Sequence, residues 1–294
     1  MTQLDAIEID RDWLAAHPLP RPAADTDKNK RGRVLVAGGS ASVPGALRLT
    51  GVAALRAGAG KLQLATVAGA APGLGLAMPE AAVFPLPANA EGELSAEAGS
   101  ALAPLLERCD ALALGPGIGA KAEAAAILEA VLAAAGPDLA ILIDAGAIGD
   151  STALAQAIRG HAGHIVFTPH PGEMALLAGC SEAEVALDHA RAAADRFAAT
   201  LVLKSSETWI ATPGEPMLHY SGGGPGLATG GSGDVLAGII AGLLARGTDP
   251  HVAAAWGVHL HGEAGRILAA RIGPLGFLAR ELLPEIPSLM AART

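Results

Sequence analysis

Short apolar runs that alternate with glycine-rich or polar turns constrain the fold of this chain more than any other feature. Arg33–Ala37, Lys61–Val67 and Ala111–Leu114 have the length and composition of strands, and stretches with helical spacing follow several such runs. Further strands are predicted at 139–143, 164–167 and 201–203, with a hairpin at 208–211 and 217–220. This alternation predicts an α/β fold, a three-layer αβα sandwich with a mostly parallel central sheet.

The composition indicates one domain with a large core. Of the 294 residues, 51% are hydrophobic and 17% are charged, which is typical of a globular chain. Residues 1–27 carry several prolines and predict an extended N-terminal lead-in, whereas residues 28–294 carry the alternating pattern without a repeat or a low-complexity linker. We therefore predict that residues 28–294 form a single domain.

The N-terminal sequence and the hydropathy pattern favour a cytoplasmic protein. The first residues are acidic and lack the apolar region of a signal peptide, and no stretch offers about 18 uninterrupted apolar residues for a membrane span. Cys109 and Cys180 form no Cys-x-x-Cys pair, so we expect two reduced thiols.

Charge and aromatic content disfavour a nucleic-acid-binding role. The formal net charge is −9 and aromatic residues make up 3% of the chain, so the sequence offers neither a broad basic face nor stacking platforms. A phosphate-containing ligand would therefore be held by backbone amides, one or two lysines and Mg²⁺.

The segment 221–244 is rich in glycine and contains a single carboxylate, Asp234. Glycine lets successive amides converge, and the start of a helix adds unpaired amides and the positive end of its dipole. The segment predicts an anion hole formed by the amides of Gly231, Ser232 and Gly233. Asp234 would repel the same anion, so we predict that it acts as a general base on a hydroxyl. The alternative is a glycine-rich turn with Asp234 as a helix cap.

Polar residues follow several of the predicted strands, where parallel sheets collect their ligands. For Asp144 the sequence leaves a magnesium ligand, a polar-network residue and a helix cap open. His170 lies between two prolines that stiffen its loop, which suits a substrate contact, the alternative being a partly buried structural histidine. Glu173 is a candidate Mg²⁺ ligand, directly or through water, or else an N-terminal helix charge.

A polar turn follows the strand at 201–203 directly. The turn consists of Lys204, Ser205, Ser206, Glu207 and Thr208. The lysine presents an ammonium group at the end of a core strand, so we predict that this turn holds the phosphate or the sugar of a nucleotide. The alternative is a solvated turn.

Several familiar motifs are absent or have the wrong spacing. No P-loop occurs. The Gly-Pro-Gly-Ile-Gly stretch at 115–119 lacks the spacing of a dinucleotide fingerprint. Two interpretations of this stretch stay open: a ligand that approaches the backbone closely, or a tight turn. Ser232 lies outside any Gly-x-Ser-x-Gly elbow, which disfavours a serine hydrolase. His259 and His261 are two residues apart on a predicted helix, so they would point in different directions and would not share a zinc ion.

Together these segments resemble the NAD(P)H-hydrate dehydratase family, a branch of the ribokinase-like superfamily. The matching segments follow the family's order over roughly residues 28–270: KNKRGRVLVAGGSASVPGALRLTGVAALRAGAG, GPGIG, FTPHPGEMALL, LVLKSSETWIATP, GPGLATGGSGDVLAGIIAGLLARG and HLHGEAG. The combination of TPHPGE with ATGGSGDVLAG is highly specific, whereas either one alone indicates only the superfamily. The resemblance therefore implies a ribokinase-like sandwich.

The resemblance implies a lyase of metabolite repair, an ADP-dependent (S)-NAD(P)H-hydrate dehydratase. Such an enzyme phosphorylates the C6 hydroxyl of hydrated NADH or NADPH and eliminates phosphate, which restores NAD(P)H and leaves AMP and phosphate. ADP is favoured over ATP because family members without a fused epimerase domain mostly use ADP. The resemblance also implies Mg²⁺, a homo-oligomer of four or more chains, and a separate NAD(P)H-hydrate epimerase as a candidate partner.

The resemblance also implies roles for individual residues. Asp234 matches the catalytic aspartate of the family, and Gly233 with the Lys204–Thr208 turn matches the contacts to the adenosine nucleotide. Contacts to the hydrated dinucleotide are matched by Ala46, Gly117, His170 and Asp234.

Three segments depart from the family's pattern. The chain has Asp-Ala-Gly-Ala-Ile at 144–148 for the usual D-A-D-A-L, Lys-Ser-Ser-Glu-Thr at 204–208 for K-G-x-x-T, and a glycine at 224 for the usual asparagine. These departures bear on phosphate and ring binding and leave Asp234 untouched. Two other functions stay open: a small-molecule kinase that releases its phosphorylated alcohol, and an inactive nucleotide-binding sensor, which only the missing second carboxylate supports.

Overall fold

Alternating side chains along the central strands divide the core into two apolar layers. In the strand Arg33–Ala37, Val34 and Val36 pack on one face and Leu35 and Ala37 on the other. Successive side chains of a strand point to opposite faces, so a strand with four consecutive apolar residues, such as 34–37, must be covered on both sides. The predicted three-layer αβα sandwich is thereby confirmed.

The structure is a computed structural model that describes residues 6–23, 25–119 and 122–292. Within these ranges the strands are β1 (Ile7–Glu8), β2 (Arg33–Ala37), β3 (Lys61–Val67), β4 (Ala81–Leu86), β5 (Ala111–Leu114), β6 (Ala140–Ile143), β7 (Ile165–Phe167), β8 (Thr200–Leu203), β9 (Thr208–Ala211) and β10 (Leu218–Tyr220). The helices are α1 (Arg11–Ala16), α2 (Gly45–Arg56), α3 (Ala71–Ala77), α4 (Glu97–Leu106), α5 (Ala124–Ala134), α6 (Ala155–Arg159), α7 (Pro171–Ala178), α8 (Leu187–Phe197), α9 (Ser232–Ala245), α10 (Pro250–Arg271), α11 (Ala279–Leu282) and α12 (Ile286–Ala291).

All the strands described belong to one sheet in the order β1-β10-β9-β8-β7-β6-β5-β2-β3-β4. The strands from β8 to β4 in that order are parallel, and only β9 runs antiparallel to its two neighbours. The predicted hairpin is therefore confirmed as β9 and β10. The sequence analysis missed β4, an edge strand that is half-exposed and contains Pro85, because such a strand lacks a clear alternation.

Part of the predicted N-terminal lead-in belongs to the core. The extended conformation predicted for it was wrong for α1, which begins after Asp10, the residue whose carboxylate accepts from the Trp13 amide at 2.9 Å. Trp13 and Leu14 are buried, and the indole of Trp256 donates to the carbonyl of His17 at 2.8 Å. This helix has only six residues, which is too short for its apolar spacing to stand out in the sequence.

Helices α2 and α9 pack side by side in the same direction. Leu49 lies against Gly231, and further along the pair the carbonyls of Thr50 and Ala54 face Gly238 and Gly242, where a Cβ would collide with them. Glycine inside a helix weakens it by about 1 kcal/mol relative to alanine, so the close approach of the two backbones explains its use here. Both helices consequently begin at the same edge of the sheet.

No helix in the described ranges combines the length and the apolar character that crossing a membrane requires.

Candidate active site

Five parallel strands end at one edge of the sheet and deliver polar or flexible residues there. The residues that follow β2, β5, β6, β7 and β8 are Gly38, Gly115, Asp144, Thr168 and Lys204. Because parallel strands share a direction, these residues meet at the carboxyl edge, where α2 and α9 also begin. The structure thus assembles the candidate site from segments that are far apart in the sequence.

The first turn of α9 is left open for an anion. Gly231, its N-cap residue, has φ +88° and ψ −5°, a left-handed conformation that favours glycine, and no side chain caps the helix. Among the described residues, the amides of Gly233 and Asp234 have no hydrogen-bond partner. The amide of Ser232, the third member of the predicted anion hole, donates to the carbonyl of Thr229 at 3.2 Å.

Asp234 lies half-buried in this first turn. Its pKa is raised to about 7, first by burial and then by the negative charge of Asp144, while the ammonium of Lys204 acts in the opposite direction. A carboxylate whose pKa lies near neutrality is ionised in part at pH 7 and is a stronger base than an ordinary aspartate. Asp234 makes no side-chain cap for α9, so the alternative role as a helix cap is not realised.

Asp144 is the centre of a buried polar network. The hydroxyl of Thr168 donates to its Oδ1 at 2.6 Å, and Lys204 Nζ donates to the same oxygen at 3.0 Å. Burial by itself would lower the pKa of Lys204, but the carboxylates of Asp144, Glu173 and Asp234 outweigh it and raise that pKa. Of the three roles that the sequence left open for Asp144, the structure therefore realises the polar network.

Lys204 is surrounded by more negative charge than it can balance. Burial raises the pKa of Glu173, the charge of Lys204 lowers it, and the neighbouring Asp144 raises it. Three carboxylates thus share one ammonium group in a partly desolvated place. Such an arrangement is typical of functional sites, because an added cation or an acidic proton is needed to complete the balance.

His170 and Glu173 form a reciprocal capping box at the start of α7. His170 Nδ1 accepts from the amides of Gly172 and Glu173 at 3.0 and 3.3 Å, and Glu173 Oε2 accepts from the His170 amide at 2.8 Å. Because Nδ1 accepts, the proton of the neutral imidazole lies on Nε2. His170 has the rigid placement predicted for it: its side chain is largely exposed, and Nε2 lies 3.4 Å from Glu173 Oε1.

A cavity of about 790 Å³ lies beside the start of α9. Its lining includes the predicted residues His170, Lys204, Ser205, Ser206, Thr208, Ser232 and Gly233. Glu207 is not among the lining residues, because its carboxylate turns toward His219 Nε2 at 3.2 Å. The predicted nucleotide turn therefore faces one cavity with all its side chains except that of Glu207.

Ala46 and Gly117 form a second group at the same edge, outside this cavity. A Cβ on Gly117 would lie 2.9 Å from the Cβ of Ala46 and 2.8 Å from the carbonyl of Val43. Gly115, two residues earlier, leaves room for the carbonyl of Asp144, so the glycines at 115–119 serve a tight turn as well as open backbone. The two groups flank α9, whose neighbour α2 carries Ala46.

The departure at Gly146 has a packing explanation. Gly146 lies in the turn after β6, where a Cβ would come within 2.5 Å of the Ile118 carbonyl and 2.8 Å of the Ile118 side chain. An aspartate at this position would therefore have to displace Ile118. The second carboxylate of the family pattern is therefore missing at a position where Ile118 leaves no room for a side chain.

Sequence reasoning missed three residues of this site. Thr168 was passed over although it directly follows a buried strand, a position that gives a usable signal. Tyr220 and His261 also line the cavity, but they come from β10 and the middle of α10, where the sequence offers no local cue. His261 contacts Ser232, whereas His259 lies with its ring centroid 5.7 Å from that of Tyr220.

A family model described as NAD(P)H-hydrate dehydratase matches residues 34–288 of this chain. The chain is also 47% identical over 281 residues to the ADP-dependent (S)-NAD(P)H-hydrate dehydratase of Xanthomonas campestris, which covers 94% of this chain and 93% of that protein.

Solved structures of two similar proteins share the architecture. A ribokinase-like superfamily protein from Enterococcus faecalis superposes with a TM-score of 0.83 at 30% identity, covering 98% of this chain and 96% of that one. The ADP/ATP-dependent NAD(P)H-hydrate dehydratase of Bacillus subtilis, co-crystallised with ATP and Mg²⁺, gives a TM-score of 0.81 at 27% identity and covers 99% of this chain and 100% of that one. The chain therefore has the ribokinase-like fold and belongs to the NAD(P)H-hydrate dehydratase family.

Proposed function

We propose that this chain is an ADP-dependent (S)-NAD(P)H-hydrate dehydratase, a hydro-lyase that restores hydrated NADH and NADPH. The observation that carries the proposal is the position of Asp234, a carboxylate with a pKa of about 7 in the same helical turn as unpaired amides. A base beside an anion hole is what a phosphoryl transfer to an alcohol needs. The 47% identity to the Xanthomonas enzyme supports the assignment of the substrate.

In the first step Asp234 takes the proton of the C6 hydroxyl of the hydrated nicotinamide. The hydroxyl oxygen attacks the β-phosphorus of ADP, and the bond from that phosphorus to the bridging oxygen breaks, so AMP leaves. The amides of Gly233 and Asp234 face the charge that develops on the phosphoryl oxygens. Lys204, held by Asp144, supplies a positive charge on the same side.

In the second step the phosphorylated ring loses phosphate. The C6–O bond breaks, a proton leaves the neighbouring ring carbon, and the ring double bond of NAD(P)H forms again. Phosphorylation makes this elimination feasible because phosphate is a far better leaving group than hydroxide. AMP, phosphate and NAD(P)H are the products.

The two groups of residues at the carboxyl edge divide the substrates between them. We place ADP in the cavity beside α9, against Lys204, Ser205, Ser206 and Thr208, with Gly233 at the phosphates. Glu207 is left out of this contact, because it does not line the cavity and its carboxylate faces His219. The hydrated dinucleotide lies against Ala46 and Gly117 and reaches His170, so that Asp234 stands between the donor and the alcohol.

Mg²⁺ is proposed as the metal that accompanies the nucleotide phosphates. The donor set fits it, because Glu173 and Asp144 leave excess negative charge around Lys204 and carboxylate oxygens suit this ion. Mg²⁺ is commonly bound by one or two carboxylates and the phosphates of the substrate. Within the described residues no group of three His, Cys, Asp or Glu side chains could hold an ion by itself. Glu173 would hold it directly or through water, and the bound ion would reduce the charge of the phosphates.

We also propose a homo-oligomer of four or more chains, a cytoplasmic location and a partner enzyme. A contact between chains agrees with Leu76 of α3, which is 88% exposed beside the edge strand β4. A cytoplasmic location agrees with two unpaired thiols, Cys109 and Cys180. An NAD(P)H-hydrate epimerase would supply the (S) form of the substrate. Light scattering of the purified chain measures the first of these directly.

The test uses chemically hydrated NADH, the purified chain and Mg²⁺, with ADP or ATP supplied in turn, while absorbance of the reduced nicotinamide is followed. A nucleotide-dependent rise is expected, faster with ADP, with one AMP and one phosphate formed per NADH. The variant Asp234→Asn serves as the control for contaminating activity. A stable phosphorylated alcohol without recovery of NADH would instead indicate a small-molecule kinase, and nucleotide binding without any turnover would indicate a sensor.

A further inference from the structure

A buried histidine contacts the first residue of the catalytic helix. His261 Nε2 lies 2.9 Å from Ser232 Oγ, and both residues line the cavity beside α9. The contact joins α10 to the first turn of α9 across 29 positions of sequence. Apolar side chains along both helices also pack together in the core.

The amide of Ser232 is already paired with the carbonyl of Thr229, so the hydroxyl is the donor of this residue that remains for a ligand. A serine near the start of a helix commonly turns back and accepts a hydrogen bond from the backbone amides, which would compete with a bound phosphate. Here the contact with His261 directs the hydroxyl away from those amides. The amides of Gly233 and Asp234 therefore stay available while the hydroxyl is held at the cavity wall.

The imidazole of His261 is neutral at physiological pH, since burial lowers its pKa to about 4. A neutral imidazole can either donate to the serine oxygen through Nε2–H or accept from its hydroxyl. With an anion in the cavity the first arrangement is favoured, because it turns the O–H of Ser232 toward the negative charge. Accepting at Nε2 would instead present oxygen lone pairs to the anion.

We propose that the Ser232 hydroxyl is a side-chain donor to the transferred phosphoryl group and that His261 is the positioning residue that orients it. This inference rests on the proposed function. It assigns to the anion hole a side-chain donor, the Ser232 hydroxyl, in place of the Ser232 amide, which is bonded to Thr229. Ser232 would contact the phosphoryl oxygens, whereas His261 acts only through Ser232.

The test compares Ser232→Ala, His261→Leu, His261→Gln and the double variant Ser232→Ala/His261→Leu in the hydrated-NADH assay. We expect Ser232→Ala to lower kcat by about 10²-fold, the usual effect of removing one donor to a developing negative charge. We expect His261→Leu to lower kcat by about tenfold or more with little change in the KM for ADP, and His261→Gln to restore most of kcat, because its amide can donate to Oγ. The double variant should lose no more than Ser232→Ala, since residues that act as a unit are not additive.

The chain contains a matched control for a buried histidine bonded to a hydroxyl. His251, on the same helix, is buried and its Nδ1 lies 2.9 Å from Thr212 Oγ1, away from the cavity beside α9. His251→Leu, the counterpart of His261→Leu, should therefore keep the wild-type kcat. Thermal unfolding and ADP binding of every variant separate a loss of folding from a loss of chemistry.

Three outcomes would overturn the inference: an unchanged kcat in Ser232→Ala, losses that multiply in the double variant, or a loss of kcat in His251→Leu equal to that in His261→Leu. Turnover by the wild-type chain decides the proposed function separately. If the wild type phosphorylates a different alcohol, the same variants are compared on that reaction, because the hydroxyl acts on the phosphoryl group and not on the nicotinamide ring. A chain without phosphoryl transfer would overturn both proposals.

Discussion

The two edges of the central sheet carry their charged side chains in opposite arrangements. At the amino edge, before β2 and β5 enter the sheet, Arg33 and Asp110 form a two-pronged pair at 2.7 and 3.0 Å whose side chains are 33% and 36% exposed. At the carboxyl edge, Asp144 and Asp234 share the single ammonium of Lys204 with Glu173. The first arrangement balances charge in water, and the second leaves a surplus of negative charge away from water.

This difference shows that charge balance and burial, rather than the size of a cavity, identify the active edge. A cavity of about 940 Å³ opens at the amino edge, which exceeds the 790 Å³ beside α9. Its lining contains Arg246, Asp110 and Cys109, and burial raises the pKa of that thiol to about 12, so it stays protonated. That thiol is therefore not poised to exchange a proton near neutral pH, whereas Asp234 is.

The largest effect is expected from Asp234→Asn, which removes the base at the carboxyl edge. The rate of NADH recovery should fall by about 10²–10⁴-fold, the usual contribution of general base catalysis, while ADP still binds. The variant should be at least as stable as the wild type at pH 8, because the carboxylate whose pKa burial had raised is gone. An asparagine variant that keeps the wild-type rate would contradict the role of Asp234.

Lys204→Met is expected to have the next largest effect, on stability and on ADP binding together. It leaves Asp144 buried with Thr168 as its remaining partner in the network. Removing one partner of a buried ion pair costs about 3–5 kcal/mol in the free energy of unfolding. Chemical denaturation measures this loss, and the double variant Lys204→Met/Asp144→Asn should recover most of it. A double variant as unstable as the single one would show that the unpaired charge is not the cause.

Asp144→Asn should shift the pH dependence of catalysis rather than abolish activity. In the wild type, kcat/KM should rise with pH through about 7, because Asp234 must lose its proton to act as a base. The variant removes a negative neighbour and frees Lys204 to stabilise ionised Asp234, so the rise should move to lower pH by about 1 unit. Asp110→Asn, at the amino edge, should leave the profile in place.

The smallest effect is expected from Arg33→Gln at the amino edge. Exposed ion pairs contribute about 0–1 kcal/mol, and Asp110 keeps its hydrogen bond from the Arg33 backbone amide at 2.8 Å. The free energy of unfolding should therefore change by about 1 kcal/mol or less, and kcat should not change. A lower kcat, or a shift of the pH profile like that expected for Asp144→Asn, would show instead that the two edges are coupled.

The sequence predicts the strands of the sheet best where they are buried on both faces. The bounds predicted for β2, β3, β5 and β9 agree with the structure, because continuous apolar runs or regular alternation leave little choice of conformation. The sequence did not predict the exposed edge strand β4 or the short helix α1. Neither has enough regularly spaced buried residues to produce a periodic hydrophobic pattern.

The sequence by itself determined the architecture, the family and the position of Asp234 in a glycine-rich helix start, because those follow from local spacing. Only the tertiary structure decided which groups meet. It joined Asp144, Thr168 and Lys204, assigned the Ser232 amide to a loop carbonyl, and turned Glu207 away from the cavity. Partners so distant along the chain leave no periodic signal, and the packing of α9 and α10 against the sheet is what brings them within hydrogen-bond distance.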